Sequence, residues 1–173
     1  MAINLLKKNI LENWQQIDAV TVEFFRNIPE NTYYQKPFSP RFKSFAWEFA
    51  CILTTREMYL NGMKYGKLNA QTPSMTQEKA ETLSKKEMVK KLKELESEIT
   101  KIIKSKEQQK ILFFGTNTDK QVLLSWLCQH EQLHFGKLML YCAQAGIAQP
   151  KSLLRMWGEG SFPLDKKRYE LTP

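Results

Sequence analysis

His130 and His134 are the two histidines of the chain, and they stand four residues apart. Residues at that spacing share one face of a helix, and two imidazoles one turn apart can converge on a single cation. The surrounding apolar spacing, Leu123, Leu127, His130, His134, Leu138 and Tyr141, puts both rings where leucine would otherwise pack. An imidazole in such a place costs desolvation unless its ring nitrogens find partners, and a Zn²⁺-like ion would engage both rings. The metal-free alternative is a pair of core histidines bonded to hydroxyls or backbone carbonyls. The segment also reads HEQLH, matching the metalloprotease string HExxH, in which the glutamate is general base for a metal-bound water. That chemistry normally comes with a sheet-bearing domain and a further ligand downstream, whereas no histidine follows His134. Glu131 is therefore expected on the helix surface or as an outer carboxylate. No Ser-His-Asp order, Gly-rich phosphate loop or nucleotide motif competes.

Four periodic segments are available to position these groups. The first carries Ile3, Leu6, Ile10, Trp14, Ile17, Val20, Phe24 and Ile28 at steps of three and four, and Pro29 stops it. A second helix is expected from Ser39-Pro40 to about Tyr65, a serine cap preceding a proline at the first helical position. Phe45, Phe49, Ile52, Tyr59 and Met63 mark its main stripe, with Glu48, Cys51 and Thr55 on an adjacent one. Residues 66–83 are polar and form a long connection, a crossover or lid. Ser84 and Glu87 make a capping box before Met88, Leu92, Leu95, Ile99 and Ile102, the clearest seam in the chain. Thr118 and Gln121 read as a second capping pair, opening the long helix that holds the histidines and ends before Gly146. The ILFF run is the sole credible strand. A tail over residues 147–173 is expected across the bundle surface, held by Leu154, Trp157 and Phe162.

Composition narrows the classes. At 173 residues and 42% hydrophobic, one domain over residues 1–173 with a sizeable core is expected. No apolar run is long enough for a membrane span, and the N-terminus interrupts its apolar residues with Lys7, Lys8 and Glu12, which points to an unexported, cytoplasmic protein. Cys51, Cys128 and Cys142 are odd in number and lack CxxC spacing, so reduced thiols are expected. The net charge of +8 would attract polyanions. The basic residues are spread and mixed with glutamates, however, in KKEMVKKLKELESEITKIIKSK, the pattern of a solvated helix face.

WLCQHEQLHFGKLMLYCAQAGI, followed by Pro150, and SFAWEFACILTTREMYL together resemble the last and second helices of the DinB/YfiT-like superfamily over most of residues 3–150. The resemblance implies an all-α four-helix bundle of DinB/YfiT type with a long connection between its second and third helices. It also implies a divalent metal, of Zn or Ni type, held by one second-helix histidine and two from the last helix. His130 and His134 match the last two. The second-helix histidine is absent, and Cys51 stands at the matching position with Glu48 one turn earlier, so either could be the third ligand. The activities implied are thiol S-transfer, as in bacillithiol-type transferases, or metal-assisted hydrolysis, with Glu48, Tyr141 or Glu131 shuttling a proton. A small-molecule or thiol substrate is expected, with room for a homodimer, no membrane partner, and nucleic-acid association disfavoured. The rival is a degenerate, metal-free bundle serving as a small-ligand binder or interaction scaffold.

Overall fold

The computed structural model describes residues 2–38, 40–69, 73–105 and 110–157, with side chains from residue 8 onward. The first apolar stripe becomes α1 (Ala2–Asn27), and Trp14, Ile17, Val20, Phe24 and Ile28 are fully buried. Ile3 and Leu6, counted in the same stripe, fall where side chains are not described. Helix α2 (Phe45–Tyr65) begins at Ser44, whose hydroxyl accepts the Trp47 N–H at 3.0 Å. The start expected at Ser39-Pro40 is thus corrected. Ser39 lies outside the described residues, Pro40 sits in a turn, and Ser44 is anchored from a distance by Glu81, 2.5 Å from its Oγ. The second helix ends at Gly66, in the left-handed region at φ 71°.

The long connection is structured where it is described. It contains β1 (Lys67–Leu68) and a short α3 (Gln77–Glu81) capped by Thr76. Helix α4 (Lys85–Lys104) has the expected capping box, Ser84 and Glu87 bonding reciprocally. The ILFF run supplies β2 (Lys110–Phe113), which pairs parallel with β1 and antiparallel with β3 (Thr116–Asp119). The three-stranded sheet goes beyond the single strand candidate of the sequence. Thr118 is spent in β3 opposite Ile111, so the cap of α5 (Lys120–Gln144) is Asp119, which accepts the Val122 N–H at 2.9 Å. This moves the expected Thr118 cap by one residue. Helix α5 closes on Gly146 at φ 68°, with the Ile147 N–H reaching the Cys142 carbonyl at 2.8 Å, a Schellman closure.

Helix α2 packs against α4 and α5, and α1 against the same two, so α1 and α2 face each other diagonally in a four-helix bundle. A short α6 (Lys151–Trp157) lies on α1, its first amides from Lys151 and Ser152 received by Glu23 at 2.8 and 2.9 Å. Leu153 is the buried anchor there, whereas Leu154 is half-buried, Trp157 is 53% exposed and Phe162 lies outside the described residues. Among the described residues, no helix is long and apolar enough to cross a membrane.

Gly62 sets how closely β1 lies on α2. A Cβ at that position would sit 2.8 Å from the Cβ of Leu68, an atom fixed to the backbone of a buried residue that cannot swing aside. Gly62→Ala is therefore expected to destabilise by about 1–3 kcal/mol through overpacking, even though alanine is the better helix former. Urea unfolding reads this, and an unchanged midpoint would mean that β1 shifts without cost.

Candidate metal centre

Helices α2 and α5 bring their chemistry to one place because Glu48, Cys51 and Thr55 occupy one stripe of α2, and His130 and His134 one stripe of α5. The Nε2 atoms of His130 and His134 are 3.2 Å apart. Cys51 Sγ lies 3.6 Å from His130 Nε2, and Thr55 Oγ1 lies 3.4 Å from the same nitrogen. One donor atom from each of Cys51, His130 and His134 falls within 4.8 Å of the others. Cys51 and His130 are half-buried and His134 is buried, so the cluster lies between the two helices with part of it within reach of solvent.

The donor set fits a tetrahedral ion. Usual Zn–N and Zn–S bond lengths imply tetrahedral edges of about 3.3 Å between two nitrogens and about 3.6 Å between nitrogen and sulfur, close to the two separations observed. His130 Nδ1 is buried without a hydrogen-bond partner, so that ring acts through Nε2, the atom turned to the cluster.

Glu48 approaches from the other side of His134. Its Oε2 is 2.7 Å from Nδ1, the nitrogen opposite the convergence point, while Tyr141 donates its hydroxyl to Oε1 at 3.2 Å and Lys137 Nζ lies 3.4 Å from Oε2. A carboxylate on Nδ1 fixes the tautomer that leaves Nε2 free to ligate. Burial works against the charge on Glu48, but the bond and charge from His134 and the Lys137 ammonium hold its carboxyl below the ordinary range. Cys51 follows the same logic. Burial opposes its ionisation, and hydrogen bonds and charge from His130 and His134 outweigh it, holding the thiol at about 6. His134 rises to about 8, burial being outweighed by Cys51 and Glu48. Cys128 and Cys142 have no such partners, and burial pushes each up to about 12.

Glu131 is neither on the helix surface nor at this cluster, which corrects both expectations. It is fully buried, and Arg56 grips it with Nε at 2.6 Å and Nη2 at 2.7 Å. Thr21 donates to its Oε2 at 2.5 Å. Arg56, also fully buried, bonds Asp18 at 2.6 Å and lies over the Trp14 ring, 4.8 Å from its centroid. A hundred degrees of helical rotation separates Glu131 from His130, so the HExxH string splits between two faces. Arg56 escaped the sequence reading. Its signal was an arginine flanked by Ile52 and Leu60 at four-residue spacing, opposite a glutamate flanked likewise by Leu127 and Phe135. The pair ties α2 to α5 at the level of the cluster.

The family model described as the DinB family matches residues 1–158. Among solved structures, the chain is similar to a DinB-like protein from Bacillus cereus at 16% identity and a TM-score of 0.63, covering 83% of this chain and 95% of that one. It is also similar to a DinB-like protein from Bacillus subtilis at 21% identity and a TM-score of 0.58, covering 82% and 95%. Among curated proteins, none matches the chain.

Proposed function

The chain belongs to the DinB family, and from that premise we propose that Cys51, His130 and His134 hold a divalent ion of Zn or Ni type that activates a small thiol or a water. The observation that carries this reading is the convergence of one sulfur and two imidazole nitrogens at separations suited to tetrahedral ligation. Thiolate and imidazole together suit Zn²⁺, and Cys51 takes the role that a second-helix histidine plays in the family resemblance. When bound, the ion lowers the pKa of a thiol or water at its remaining position and so supplies a nucleophile near neutral pH. Glu48 orients His134 through Nδ1 instead of ligating. With Tyr141 on one oxygen and His134 and Lys137 on the other, its carboxylate is committed to that orienting role. Glu131 has no part in this, both its oxygens being engaged by Arg56 and Thr21. S-transfer or hydrolysis of a small molecule is the reaction class that follows.

A second reading has its own support. Without an ion, the depressed thiol and raised imidazole satisfy each other as a thiolate–imidazolium pair, which suits a metal-free binder. Elemental analysis of protein purified without a His-tag or chelating resin separates the two, with about one ion per chain expected for a three-ligand site. Iodoacetamide adds a second readout: Cys51 should be the cysteine that reacts near neutral pH, and added Zn²⁺ should protect it. No bound ion together with unprotected alkylation would leave the metal-free reading standing.

A further inference from the structure

Thr54 and Thr55 are neighbours on α2 and spend their hydroxyls differently. A helical threonine commonly bonds back to a carbonyl three or four residues earlier, and Thr54 does so, reaching the Ala50 carbonyl at 2.9 Å and the Cys51 carbonyl at 3.3 Å. Thr55 has the same option and does not take it. Its hydroxyl leaves the helix for His130 Nε2, 3.4 Å away across 75 positions, and among the described residues it makes no other hydrogen bond. Thr55 is half-buried, as are Cys51 and His130, whereas His134 is buried. The hydroxyl thus belongs to the part of the cluster within reach of solvent.

An imidazole nitrogen has one lone pair to give. Ligation through His130 Nε2 therefore takes away the partner of the Thr55 hydroxyl and leaves a hydrogen-bond donor beside the cluster. Charge indicates what that donor meets. A divalent ion with one thiolate, from Cys51, and two neutral imidazoles keeps a positive charge, and Glu48 does not cancel it, because its carboxylate lies against both His134 and Lys137. A partly buried charge calls for a counter-charge. We propose that Thr55 makes a binding position for a small anionic ligand at the cluster, its hydroxyl donating to the anionic atom of a thiolate or of a ligand of like charge and size. The hydroxyl is not itself a ligand of the ion. Its 3.4 Å from His130 Nε2 would suit a tetrahedral edge, but thiolate, imidazole and carboxylate are the side chains that hold Zn²⁺, and a neutral aliphatic hydroxyl is a hydrogen-bonding group. The inference rests on the metal reading above and gives Thr55 a part in it.

The full chain loaded with Co²⁺, whose visible spectrum reports its ligands, is titrated with azide and separately with 2-mercaptoethanol. Thr55→Val and Thr55→Ala should take up Co²⁺ as the parent does and bind both ligands at least roughly 10-fold more weakly, the loss expected for a hydrogen bond to a charged group. Thr55→Ser, which keeps the hydroxyl, should recover the parent values, a rescue that a packing role would not give. A loss confined to one of the two ligands supports the position for that chemistry. Unchanged ligand affinities in both hydroxyl-free variants would overturn the role of Thr55 and leave the metal centre standing. A collapse of Co²⁺ uptake in them would make Thr55 a ligand of the ion, against the proposal, and a parent that takes up no Co²⁺ would remove the metal reading and this one with it.

Discussion

Arg56→Met is expected to destabilise the protein by about 3–5 kcal/mol, the range for removing one partner of a buried ion pair. The cost comes from what is left behind. Glu131 is fully buried, and two of its short hydrogen bonds come from the Arg56 guanidinium. Without them a carboxylate remains in the core with Thr21 alone, and must either stay charged at high cost or take up a proton. Burial works against the Arg56 charge as well, but Glu131 and Asp18 outweigh it and raise its pKa. Against a total stability typically near 5–15 kcal/mol, the single variant should be close to unfolding. Arg56→Met combined with Glu131→Leu should recover much of the loss, since a buried pair replaced by apolar residues of similar volume is often neutral. Urea unfolding of both variants decides the matter. A loss below about 1 kcal/mol in the single variant, as for exposed pairs, would show that water reaches Glu131.

The second large effect is on metal affinity. His134→Ala should weaken Zn²⁺ binding by at least roughly 100-fold, because loss of a direct ligand should exceed the 10–100-fold typical of changes in the outer partners of a ligand. Glu48→Gln should fall within that smaller range, since the amide can still meet Nδ1 but brings no charge to orient and polarise the ring. Cys51→His recreates the three-histidine set implied by the family resemblance and should bind at least as tightly. Calorimetry at constant pH measures all three, because ligation releases the proton that His134 carries near neutral pH. Undiminished uptake by His134→Ala would remove the proposed ligand set, and a larger loss in Glu48→Gln than in His134→Ala would make Glu48 the ligand in its place.

Local order was legible because it depends on neighbours within a helical turn. The stripes of α1, α2, α4 and α5, the Ser84–Glu87 box and the shared face of His130 and His134 all follow from steps of three and four along the chain. The same periodicity placed Glu48, Cys51 and Thr55 together on α2. It put the start of that helix at Ser39-Pro40 and missed Ser44, because Ser44 is held by Glu81, 37 residues away. Nor could it see that Thr118 would be drawn into a hairpin with Ile111.

By itself, then, the sequence determined the helical bundle, its main seams and the two-histidine face, since each is written in intervals of a few residues. Only the tertiary structure decided which α2 side chain meets that face and from which side. Cys51 reaches His130 Nε2 while Glu48 reaches His134 Nδ1, and the difference is a matter of the rotation and height of α2 against α5. Those are settled by contacts between distant residues, Arg56 on Glu131 across 75 positions and Leu68 against Gly62. The fate of Glu131 has the same origin: what lies beyond a helix face is fixed by the helices packed against it, and no spacing within α5 contains that information.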